Sequence, residues 1–275
     1  MLLNLAKRGA PAEREFPLFS SLFASTVMDI DVTRPASYSG TGTSIANLCA
    51  SPADGSAASA YNMTLTGNVF SGSPDSPSAK LALDGSSYLT LTGAMTTFLN
   101  AIGRVAPDGQ AFSFIYAGRT TAKVVNTNPQ AFMGTSQLLD AGNGYAISNG
   151  TYAGATNKLT HQIRGNWQDI VSATSLSGCS DSTDKVIMMT FNPAGNGTCK
   201  FYVGDNTVQT VSHGFQITPA APTYKLQICA AGNNGGALLA GSEFRAAAFF
   251  NAELSASDFN TAKAALNTRH GAIYA

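Results

Sequence analysis

Along most of the chain, apolar residues alternate with polar or small ones at a period of two. The segment "LALDGSSYLTLTG" (81–93) shows it plainly. Leu81, Leu83, Leu89 and Leu91 share one parity around an Asp-Gly turn, and polar or small residues fill most gaps. This is the signature of half-buried strands, one face on a core and one in water. It predicts an early strand pair here. Further strands are predicted at 111–119, 131–135, 144–150, 158–165, 168–174, 184–193, 199–205, 207–212, 224–232 and 242–251. Gly, Asn, Asp and Pro punctuate the joints, with "NPAGNG" and "GDN" as hairpin turns. Many short strands at even spacing predict an all-β sandwich or barrel.

Helix signals are few. "MTTFLNAIG" (95–103) predicts a short helix stopped by Gly103. "LSASDFNTAKAALNTRHG" (254–271) predicts a C-terminal helix. Ser255 is its N-cap, with Asp258 three residues on as an imperfect capping box. Phe259, Ala262, Ala265 and Leu266 form its buried stripe, and Gly271 ends it. His270 would lie favourably against the helix dipole.

Residues 1–28 stand apart as an N-terminal arm ahead of a domain spanning 29–275. Pro11 and Pro17 limit helix there, and the apolar cluster Phe16, Leu18, Phe19, Leu22 and Phe23 has no evident place in the downstream sheets. Two readings stay open. The arm lies over the domain's own surface, or those five residues dock into a partner or a neighbouring subunit. Lys7, Arg8, Glu13, Arg14 and Glu15 interrupt the apolar pieces, so no signal-peptide core is expected.

Composition narrows the function. Charged residues are only 12% of the 275, hydrophobic ones 44%, and the 16 basic and 16 acidic residues cancel. The surface must then be covered by Ser, Thr, Asn, Gly and Ala. No basic field would attract nucleic acid, and no apolar run is long enough to suggest a membrane span. The four cysteines include no C-x-x-C pair. They are expected as free, partly buried thiols, with Cys179–Cys199 the pairing if a bridge forms.

The order of these pieces resembles the concanavalin A-like lectin/glucanase fold, in its laminin-G-like or pentraxin-like branch. The likeness rests on "LALDGSSYLTLTG", "AFSFIYAGR", "DKVIMMTFNPAGNGTCKFYVGDNTVQT" and the closing run from "LQICAAGNNGG" to "NTRHG", and it covers roughly 30–271. It implies a jelly-roll β-sandwich with a short C-terminal helix. The lead-in "TGTSIANLCASPADGSAASAYNMTLTG" (41–67) is similar to lead-ins of such domains in tailed-bacteriophage virion proteins.

Chemistry is sparse. Glycosidases of this fold place paired carboxylates at alternate positions of one strand. Of the four Glu, 13 and 15 lie in the arm and 253 at the final turn, so no predicted strand carries an E-x-E, and Asp84, Asp108, Asp140, Asp181 and Asp205 sit at turns. His161, His213 and His270 lack ligand spacing, and no phosphate loop or nucleophile elbow occurs. No enzyme activity, cofactor or metal is expected, although the loop oxygens of Asp140, Asn143, Asp205, Asn233 and Asn234 are of the type calcium takes. Sugar binding would need an aromatic platform, for which Trp167, Tyr145 and Tyr152 are the candidates. The expectation is a non-enzymatic virion structural protein made in the host cytoplasm: a capsid-decoration, head-fibre or tail-fibre subunit. It would contact other virion proteins and self-assemble, a trimer being one such state. The alternative is a carbohydrate-binding module that recognises host-surface glycans through its rim loops.

Overall fold

The computed structural model describes residues 16–67, 69–101, 111–121, 130–135, 145–149, 159–163, 166–169, 181–192, 194, 197–204, 207–212, 224–231 and 236–274. In chain order its elements begin with the single turn α1 (Phe19–Leu22), β1 (Thr26–Asp31), β2 (Ser44–Ile45), β3 (Met63–Thr66), β4 (Phe70–Ser71), β5 (Lys80–Ala82) and β6 (Tyr88–Leu91). Then come α2 (Met95–Ala101), β7 (Phe112–Arg119), β8 (Gln130–Gly134), β9 (Tyr145–Asn149), β10 (Leu159–Ile163) and β11 (Asn166–Asp169). The last are β12 (Asp184–Asn192), β13 (Thr198–Val203), β14 (Thr207–Ser212), β15 (Gln227–Ile228), β16 (Glu243–Phe250) and α3 (Ala256–His270).

They form two antiparallel eight-stranded sheets. The first runs β14-β13-β12-β7-β16-β5-β4, with β1 also on β16; the second runs β11-β10-β9-β8-β15-β6-β3-β2. This is an all-β sandwich with a C-terminal helix: the alternation implied a sandwich or barrel, and the resemblance to the concanavalin A-like fold implied the sandwich. Phe112, Phe114, Tyr116, Ile187, Met189 and Phe249 of the first sheet meet Met63, Leu65, Leu89, Leu91, Phe132 and Ile228 of the second in one core. β12 pairs antiparallel with β13, and β13 with β14, each in continuous register, as the expected hairpins require. Among the described residues no helix is long and apolar enough to cross a membrane.

The expected early strand pair in "LALDGSSYLTLTG" is corrected. β5 pairs with β16 and β4, whereas β6 pairs with β3 and β15. The Asp-Gly segment is therefore an arch from one sheet to the other. All four leucines still share a parity because both strands face the same interior. Asp84 shapes the arch, its Oδ1 accepting from the Ser86 amide at 2.9 Å, and Gly85 takes φ +91°.

The first sheet also buries its outer side. Ile115, Ala117, Val186, Met188, Ala246, Ala248 and Phe250 form a second core with Phe259, Ala262 and Leu266 of α3. That explains why all eight residues of β16 are buried. The helix starts on a full capping box: Ser255 Oγ accepts from the Asp258 amide, and Asp258 accepts from the Ser255 amide. It ends at Gly271, φ +83°.

The arm expectation needs a correction for two of its five residues. Phe19 and Phe23 are 0% and 8% exposed. Both rings stand edge-on to Phe250, at 5.8 and 5.4 Å between centroids. The nearest apolar surface was the chain's own outer sheet face, so these rings are not free to dock elsewhere. Phe16 and Leu18 are half-buried and Leu22 is exposed. β1 begins at Thr26 and pairs with β16, so a boundary at residue 28 would cut a strand of the sandwich.

Candidate functional site

The outer face of the second sheet is the wet one. Cross-strand pairing aligns Ser44, Thr64, Thr90, Gln227, Gly134, Ala146, Gln162 and Trp167 in one row from β2 to β11. Seven inter-strand steps make it roughly 34 Å long. Its centre is closed, because Gly134 and Ala146 are buried and an added Cβ on Gly134 would come within 3.0 Å of Ala231 Cα. Its β2–β3–β6 end is open. Ser44, Thr64 and Thr66 are exposed, and Tyr88 and Thr90 are half-buried. Tyr88 stands opposite Thr66 and packs in part against the main core. The exposed Lys225 donates to the Thr92 carbonyl at 3.0 Å beside this end. One aromatic ring among hydroxyls, with little charge, is an arrangement suited to a neutral polyhydroxylated ligand.

Tyr88 was not singled out from the sequence, though its place in a Tyr-Leu-Thr-Leu alternation marks it as outward-facing. Of the residues that were singled out, Trp167 lies within β11 and pairs with Gln162, while Tyr145 lies on β9 opposite Ile163. They occupy rows of opposite parity, so the register does not bring them together. Tyr152 lies outside the described residues, as do Asp140, Asn143, Asp205, Asn233 and Asn234. Among the described residues no cluster of His, Cys, Asp or Glu could hold a metal ion. Cys49, Cys199 and Cys229 are buried free thiols; Cys179 lies outside the described residues. Burial pushes all three thiols up, which makes them inert.

One pair of carboxylates does stand at alternate positions of a strand: Asp29 and Asp31 on β1, a D-x-D the sequence reading passed over. Both are 0% exposed. They sit under the last turn of α3 on the outer side of the first sheet. Arg269 places Nη1 3.2 Å from Asp31 and 3.6 Å from Asp29, donates from Nε to the Pro17 carbonyl, and lies 4.8 Å over the Phe19 ring. The Phe19 amide donates to Asp29 at 2.9 Å. His270 Nε2 lies 3.3 Å from Asp31, and its Nδ1 is 2.6 Å from Tyr274 Oη. His270, in the last turn of α3, is thus also a buried partner of Asp31.

Burial raises the Asp29 carboxyl above its ordinary value, and Arg269 only partly opposes it. Burial would raise Asp31 too, but His270, then Arg269 and Thr33, outweigh it and hold Asp31 below the carboxylate range. Both carboxylates are sealed from solvent, and the arrangement ties the chain's N-terminal part to its last helix.

Two further carboxylates are also engaged, Glu253 in the turn after β16 and Glu243 on β16. Glu253 binds Lys200 at 2.7 Å and accepts from Asn192. Glu243 is surrounded by Lys80, Arg119 and Arg245.

No family model matches the sequence, and no curated protein matches it. Solved structures do. A structure of botulinum neurotoxin type C, whose cell entry depends on interaction with two ganglioside molecules, superposes with a TM-score of 0.58 at 14% identity, covering 89% of this chain and 51% of that one. The binding domain of serotype D/C superposes at 0.57 and 15%, covering 89% and 52%. The DC binding domain, seen in complex with SialylT and with rat synaptotagmin II, gives the same values. These are receptor-binding β-sandwich domains, and at such identities the likeness shows the fold alone. The chain spans about half the length of each.

Proposed function

We propose that the chain is a non-catalytic carbohydrate-recognition module whose contact surface is the open β2–β3–β6 end of the second sheet. The observation that carries this is Tyr88, half-buried beside Thr64, Thr66 and Thr90 on a lectin-type sandwich. The ring would stack on the apolar face of a sugar while the hydroxyls exchange hydrogen bonds with its OH groups. Lys225 would reach an acidic or polar substituent. The neighbouring domains bind receptors rather than turn over substrate, which supports binding without catalysis. Their ganglioside requirement and protein partners belong to chains twice this length, so they supply a ligand class to test and not a site.

The test is a glycan array probed with the wild-type protein and with Tyr88→Ala. The wild type is expected to select a defined set of oligosaccharides. The variant, folded by circular dichroism, is expected to bind them at least about tenfold more weakly. Equal binding by both would reject this surface.

A virion role is a second reading, supported by the 41–67 lead-in and by Leu22, which is 37% exposed at the N-terminal end of the sandwich. In it the module decorates a phage or phage-like particle or forms part of a fibre, as a homo-oligomer. Native mass measurement of the wild type and of Leu22→Asp tests the self-assembly. A loss of oligomer in the variant is the expected result, and a monomeric wild type would contradict it.

A further inference from the structure

The five charged groups over the outer side of β16 do not balance. Lys80, Arg119 and Arg245 carry three positive charges against the two negative charges of Glu243 and Asp184. Lys80 Nζ and an Arg119 nitrogen share a single acceptor, Glu243 Oε1, with Lys80 at 2.6 Å. Arg245 takes Oε2 at 3.2 Å and the Pro77 and Ala79 carbonyls, while its Nε, 3.6 Å from Asp184, makes no hydrogen bond. Arg119 Nε is likewise buried without an acceptor. Glu243 and Arg245 are sealed at 7% and 6% side-chain exposure, but Lys80 and Arg119 remain 25% and 32% open. Burial and the like charges of Arg245 and Arg119 depress the Lys80 pKa, with Asp184 opposing them. The site therefore has more donors than acceptors and presents its two least satisfied cations to solvent.

We infer that Lys80 and Arg119 form a binding site for a carboxylate monoanion, seated over Glu243 on the outer face of the first sheet. A planar carboxylate can accept from the guanidinium and the ammonium together. The surplus of one charge suits a monoanion, and Glu243 below would repel a dianion such as phosphate. The site lies on the other sheet from the Tyr88 surface and does not depend on that reading.

The experiment is an NMR titration of the full chain with acetate, glucuronate, N-acetylneuraminate and phosphate, with chloride at matched ionic strength. The carboxylates are expected to shift the β5, β7 and β16 amides saturably, and chloride is not. Glucuronate or N-acetylneuraminate binding more tightly than acetate would make an acidic sugar the source, and equal binding would make it the carboxylate alone. Lys80→Met with Arg119→Met should weaken binding at least about tenfold, about one charge-assisted contact. Lys80→Arg should keep it, and so should Tyr88→Ala. The inference fails if no carboxylate binds saturably, if the double variant binds as the wild type does, or if phosphate is preferred. Should the double variant not fold, loss of the amide shifts in Lys80→Met alone decides the matter in the same way.

Discussion

The two sheets use their outer faces in opposite ways. On the first, β1 and β16 are buried at every position, because α3 and the residues before β1 lie over them. On the second, β3 keeps a strict buried-exposed alternation and β6 alternates buried with half-buried. The covered face holds the carboxylates at catalytic-looking spacing and removes them from solvent. The open β2–β3–β6 end keeps the hydroxyls of Ser44, Thr64, Thr66 and Thr90 and the Tyr88 ring in reach. The contrast teaches that spacing along a strand does not make a reactive pair; access does.

The covered face should be the costlier one to disturb. Arg269→Met leaves Asp29 and Asp31 buried without their cation, and is expected to destabilise the fold by about 4 kcal/mol in denaturant unfolding. A loss below 1 kcal/mol would mean that the cluster does not hold the terminus down. Phe19→Ala removes a ring packed on Phe250 and Arg269 and should cost about 3 kcal/mol. If Phe19 instead served a partner, the isolated chain would lose almost nothing.

Acid sharpens the same contrast. Asp31 has a folded pKa below its free value of 3.8, so its stabilising contribution is complete above that value and is lost as pH falls through and below it. Asp29 is shifted upward from 3.8, so its contribution has the opposite sign: it is present below 3.8 and is lost as pH rises through the raised value. Asp31→Asn should flatten the acid limb of a stability-against-pH curve, by up to about 1.4 kcal/mol per pH unit. Asp29→Asn should not flatten it. The open face should show the smallest stability effect: Thr64→Ala is expected to change stability by no more than about 0.5 kcal/mol while weakening any bound glycan.

Much of this was legible in the sequence. The period-two alternation marked the strands, the turn residues marked the hairpins, and Ser255 with Asp258 marked the last helix. The destination of each strand was not legible. β5 and β6 are separated by an arch whose Asp-Gly looks like a hairpin turn, and only tertiary pairing sends them to different sheets. The arm misled for a similar reason. Phe19 and Phe23 had no visible partner because theirs, Phe250 and Arg269, lie more than two hundred residues away. Asp29 and Asp31 carried a readable spacing, but their burial depends on α3. Tyr88 was hidden by its ordinariness, one aromatic in an alternating strand, whereas Trp167 drew notice as the lone Trp.

The central claim is that the open end of the second sheet is the surface that recognises ligand. Chemical-shift mapping with the tightest-binding oligosaccharide tests it directly. The account predicts perturbed amides at Ser44, Thr64, Thr66, Tyr88 and Thr90, with α3 unchanged. Perturbations confined to α3 and the covered face, with none on β3 or β6, would contradict it.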